Sequence, residues 1–120
     1  MAHILIVDDS PEDVKTLKTI LEGQGYKTSS ASGGEEGIQK ANELKPDLVV
    51  MDIVMPGTDG FKTTRKITKG SETKSIPIIV VSSKDQETDK AWAKMQGAKD
   101  FLVKPVKADK LLEAIKKELG

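Results

Sequence analysis

Short apolar runs alternate along this chain with longer amphipathic stretches, and that order restricts the fold more than any other feature. The apolar runs are His3–Val7, Tyr26–Ser30 (the weakest), Leu48–Met51, Ile78–Val81 and Asp100–Val103. Three of them are unbroken Val/Ile/Leu/Met stretches without polar alternation, the pattern of parallel strands covered on both faces. The intervening segments are long enough for crossover helices. Ser10 is placed to cap the first, Pro11 sits where a missing N–H does no harm, and Glu12 and Asp13 favour the positive helix end. Val14, Leu17, Ile20 and Leu21 form its apolar stripe, and Gly23 or Gly25 ends it. Further helices are expected over Gly34–Leu44, Gly60–Lys69, Asp85–Gln96 and Ala108–Leu119. Strand–helix alternation of this kind predicts a parallel α/β sheet with right-handed crossovers.

The 120 residues suffice for one domain with a real core and are too few for two. Nineteen basic residues balance nineteen acidic ones, so the clustered basic excess that nucleic acid requires is missing. The absence of cysteine excludes disulfides, thiolate zinc sites and cysteine nucleophiles together. The N-terminal apolar run is too short for a signal or a membrane span. These features predict a soluble, cytoplasmic, single-domain protein over residues 1–120 that binds neither nucleic acid nor membrane.

In open parallel sheets the chemistry lies beyond the carboxyl ends of the strands. The residues there are Asp8, Asp9 and Ser10 after the first run, and Asp52 followed by Ile53-Val54-Met55-Pro56-Gly57 after the third. Ser82, Ser83 and Lys84 follow the fourth run, and Lys104-Pro105 the fifth. Taken singly each has an ordinary explanation: Asp8-Asp9 as a turn or cap, Asp52 as a cap, Ser82 and Lys104 as loop residues. Jointly they bring three carboxylates, a hydroxyl and an ammonium to one rim. Clustered carboxylates resist ionising together unless a cation is present, and oxygen ligands of this kind suit Mg²⁺. A carboxylate with a free oxygen beside a metal and a lysine suits attack on a phosphoryl group. His3 is the only histidine and opens a strand, so no histidine-based triad competes.

Ile6-Val7-Asp8-Asp9-Ser10, Asp47 through Gly57, Pro77 through Ser83 and Lys104-Pro105 together resemble the CheY-like receiver domain of two-component response regulators. The spacing agrees along the whole chain. The resemblance implies a single flavodoxin-like domain, a five-stranded parallel sheet of order 2-1-3-4-5 flanked by five helices, with no output domain. It implies that Asp52 accepts a phosphoryl group from the phosphohistidine of a histidine kinase. Asp8, Asp9, Asp52 and the main-chain carbonyl of Val54 would hold Mg²⁺, and Lys104 would contact the phosphoryl oxygens. Ser82 and Phe101 would act as the switch pair, and the Lys104–Pro105 peptide would be cis. Met51–Gly57, Gly60-Phe61, Thr64-Arg65 and Lys84–Lys90 with Trp92 narrow the resemblance to stand-alone regulators of type IV pilus twitching motility, akin to chemotaxis signalling.

The sequence departs from the family at three places. Ser82 stands where threonine is commoner, Phe101 where tyrosine is commoner, and Val54 where some relatives carry a side chain that positions the hydrolytic water. The last departure predicts slow self-dephosphorylation. Output is expected through a downstream protein bound by the fourth helix, fifth strand and fifth helix. Trp92, Met95 and Phe101 are the candidate contacts there, with Ala91 and Ala93 expected to turn inward and core packing the ordinary role for Trp92. Lys99, Lys104, Lys107 and Lys110 are expected to form a solvated rim. Two other readings are an aspartyl-nucleophile phosphohydrolase and a pseudo-receiver scaffold. The first lacks an acid two residues after Asp52, and the second leaves the intact acidic residues, hydroxyl and lysine without a role.

Overall fold

The computed structural model describes residues 1–120. In chain order the elements are β1 (His3–Val7), α1 (Pro11–Gly23), β2 (Lys27–Ala31), α2 (Gly34–Leu44), β3 (Leu48–Met51), β4 (Val54–Met55) and β5 (Thr58–Asp59). They continue with α3 (Gly60–Lys69), β6 (Ile78–Ser82), α4 (Glu87–Met95), β7 (Asp100–Val103) and α5 (Ala108–Leu119). Five strands form one parallel sheet of order β2-β1-β3-β6-β7. Without the separate β4–β5 hairpin the order reads 2-1-3-4-5, so the flavodoxin-like expectation holds.

Strand periodicity divides the core in two. Ile4, Ile6, Leu48, Val50, Ile79 and Val81 point to one face and meet Leu17 and Leu21 of α1 and Leu111 and Ile115 of α5. Leu5, Val7, Val49, Met51, Ile78 and Val80 point to the other, against Ala41 of α2, Ile67 of α3 and Ala93 of α4. Both faces of the central strands are thus dry, which is why their sequences are continuously apolar.

β2 runs on to Ala31, β6 takes in Ser82 and α4 stops at Met95, each one residue from the expected end; three further differences have local reasons. β2 begins at Lys27 because the Tyr26 N–H is used by Leu21 O (3.1 Å) in the turn that ends α1, where Gly25 takes φ +90°. α4 begins at Glu87 because Gln86 is its N-cap, its N–H donating to the Asp89 carboxylate at 3.3 Å. The antiparallel hairpin of β4 and β5, turning at Gly57 (φ +68°), was not expected at all. Two residues per strand leave no periodicity to read.

Candidate functional site

The sheet sets the backbone of the site directly. Asp8, Asp52 and Lys104 each follow immediately after a strand, and each N–H is still held by the neighbouring strand. Asp8 N–H donates to Ala31 O (3.0 Å), Asp52 N–H to Val7 O (2.9 Å) and Lys104 N–H to Ser82 O (2.8 Å). The last ladder rung on three strand pairs therefore fixes the main chain under two carboxylates and the ammonium. The Lys104–Pro105 peptide is cis, as the resemblance implied.

Carboxylate oxygens of Asp8, Asp9 and Asp52 lie within 4.8 Å of one another, with Asp8 and Asp52 buried and Asp9 exposed. Lys104 Nζ donates to Asp8 Oδ2 (2.9 Å), Asp13 Oδ2 (2.7 Å) and Asp52 Oδ2 (3.2 Å). The other Asp52 oxygen, Oδ1, accepts the Val54 N–H at 2.9 Å. Asp8 Oδ1 accepts the Ser10 N–H at 2.9 Å. Burial raises the Asp52 carboxyl above its ordinary value and Asp8 adds to this, outweighing the Val54 N–H and Lys104, which pull it down. Lys104 is shifted upward: burial opposes its charge, but the bonds to Asp13 and Asp8 and the charge of Asp52 prevail. One ammonium thus serves several acids without neutralising them. An all-oxygen, net-negative donor set of this kind fits a hard divalent cation such as Mg²⁺.

Ser82 is fully buried at the end of β6, and its Oγ accepts the Lys84 N–H at 3.2 Å. Its carbonyl is bonded to the Lys104 N–H, so the hydroxyl and the lysine belong to adjacent strands. Val54, in contrast, is an exposed aliphatic side chain (44%) two residues beyond Asp52.

Away from the rim, Trp92 and Met95 of α4 are exposed (50% and 69%), whereas Phe101 is buried (8%) and presents no ring to a partner in this conformation. The Trp92 indole packs edge-on against Phe61, with ring centroids 6.5 Å apart. Ala93 turns inward as expected; Ala91 is exposed, because one helical stripe cannot include both i and i+2. Asp13 is the site residue that sequence reasoning passed over. Its place in the first turn of α1 accounted for it fully, and only a lysine 91 positions away reveals the second role.

The sequence pattern of the response regulator receiver domain matches residues 4–116. The chain belongs to the response regulator receiver domain family. Such receivers serve generally as phosphoacceptor switches. Among relatives, Protein PilH of Pseudomonas aeruginosa is 53% identical over 115 residues, covering 96% of this chain and 95% of PilH. Protein PilG of the same organism is 35% identical over 113 residues, covering 94% and 84%. The structure of the chemotaxis protein CheY4 of Vibrio cholerae superposes with TM-score 0.93 at 30% identity, covering 99% of each chain. This receiver is therefore a two-component response regulator of the CheY-like kind, and a homologue of Protein PilH. None of its helices is long and apolar enough to cross a membrane.

Proposed function

We propose that this receiver accepts a phosphoryl group on Asp52 from the phosphohistidine of a histidine kinase, and signals by phosphorylation-dependent protein binding. One observation carries the reading: Asp52 is buried, sits in a three-carboxylate cluster, and has its Oδ2 at 3.2 Å from the Lys104 ammonium. The Val54 N–H holds Oδ1 at 2.9 Å, whereas Oδ2 faces the ammonium that is to receive the phosphoryl oxygens, and Oδ2 is assigned as the attacking oxygen. Asp8, Asp9 and Asp52, with the Val54 carbonyl, would hold Mg²⁺, whose charge compensates the anionic oxygens brought together during transfer. Lys104 then binds a phosphoryl oxygen, and the Ser82 hydroxyl, on the strand next to Lys104, takes another.

Ser82 and Phe101 lie on paired strands, so a shift of the hydroxyl toward a phosphoryl group is felt where Phe101 packs under α4. Output then runs through the face of α4, β7 and α5 to a downstream protein, with Trp92 and Met95 as its exposed apolar contacts. The likeness to PilH favours a pathway of the twitching-motility kind. Incubation with acetyl phosphate and Mg²⁺, followed by intact mass, should show one added phosphoryl group, and Asp52→Asn should show none while staying folded. A wild-type protein that gains nothing, or a variant that is still modified, refutes the assignment.

A further inference from the structure

Asp13 occupies the third position of α1, where an acid ordinarily folds back to accept the N-cap N–H. Here that N–H, from Ser10, is already taken by Asp8 Oδ1 at 2.9 Å. The Ser10 hydroxyl still caps the helix by accepting the Asp13 N–H at 3.3 Å. The Asp13 carboxylate is thereby released from the helix end and makes the shortest of the three bonds to Lys104, 2.7 Å against 2.9 Å for Asp8 and 3.2 Å for Asp52. Lys104 is largely buried, while Asp13 stands at the rim, 45% exposed. The ammonium is thus drawn outward by the one partner that is neither buried nor part of the three-carboxylate cluster.

We propose that Asp13 is a positioning residue that holds Lys104 in a resting arrangement and slows phosphoryl transfer to Asp52. The inference rests on the phosphoacceptor reading of Asp52. During transfer from a small donor, Asp52 Oδ2 forms a bond to phosphorus and the bond from phosphorus to the donor oxygen breaks. The departing acetate keeps that electron pair. Lys104 must move to meet the phosphoryl oxygens as this happens, and its shortest bond, to Asp13 at the rim, resists that movement. Neutralising Asp13 removes the competitor, and a half-exposed ion pair of this kind corresponds to about two- to fivefold in rate.

The test follows the second-order rate constant for phosphorylation by acetyl phosphate at saturating Mg²⁺, read by intact mass. Asp13→Asn should react about two- to fivefold faster than wild type, and Asp13→Glu, which restores the charge on a longer arm, should return toward the wild-type rate. Glu12→Gln removes the same charge from the same helix turn without touching Lys104 and should leave the rate unchanged. The inference is overturned if Asp13→Asn reacts no faster than wild type, if Asp13→Glu is as fast as Asp13→Asn, or if Glu12→Gln accelerates equally. Wild-type protein that gains no phosphoryl group would instead count against the phosphoacceptor reading itself.

Discussion

Replacing Asp9 by Asn should change stability in opposite directions with and without Mg²⁺. Asp9 lies within 4.8 Å of both Asp8 and Asp52 by carboxylate oxygens, yet is exposed and has no bond to Lys104. In a water-like dielectric each like-charge pair at that distance costs about 0.9 kcal/mol, before screening by salt and attraction to the nearby ammonium reduce it. The net relief on neutralising Asp9 is about 0.5–1 kcal/mol. For a domain of this size that moves a urea midpoint up by about 0.3–0.5 M.

Bound Mg²⁺ reverses the order. At one hundred times its dissociation constant a ligand stabilises the native state by about 2.7 kcal/mol, and Asp9→Asn deletes a carboxylate from the proposed donor set. Urea unfolding followed by circular dichroism, in EDTA and in excess Mg²⁺, should show the variant above wild type in the first and below it in the second. The reasoning fails if the variant's midpoint is lower in EDTA, or if both proteins gain equally from Mg²⁺.

Val54→Asn should shorten the phosphoryl lifetime by about five- to a hundredfold, since one oriented hydrogen bond to the attacking water is worth about 1–3 kcal/mol in the transition state. Decay after donor removal measures it, and an unchanged lifetime shows that water positioning at this residue is not limiting. Gly60→Ala should destabilise the fold by about 1–3 kcal/mol, because a Cβ there meets Ile53 Cβ at 2.8 Å and Ile53 C at 2.9 Å, and lies closer still to Ile53 Cα. Since Ile53 adjoins Asp52, phosphorylation should slow as well; an equilibrium denaturation curve matching wild type would refute the close approach of α3 to this loop.

Much of the domain was legible because its signals are local. Continuous apolar runs mark strands buried on both faces, and the apolar stripe of α5 with the Ser10-Pro11 start of α1 marks helices. Once the sheet is known to be parallel, Asp8, Asp52, Ser82 and Lys104 fall on one rim without further information. A one-residue shift in β2 and a two-residue shift in α4 came from caps and turns that compete for the same N–H groups. The β4–β5 hairpin was too short to leave a pattern. Asp13 and Ala91 show a different limit. Each fits its helix on local grounds, as a first-turn acid and as a small residue beside an aromatic, and nothing nearby in the sequence contradicts that. Local spacing determined which residues end each strand, since backbone periodicity acts over a few residues. Only the packed fold decided which of four acids Lys104 would bind, because that choice depends on the position of α1 beside the rim. It is made between residues 52, 91 and 96 positions apart, where geometry and burial set the distances.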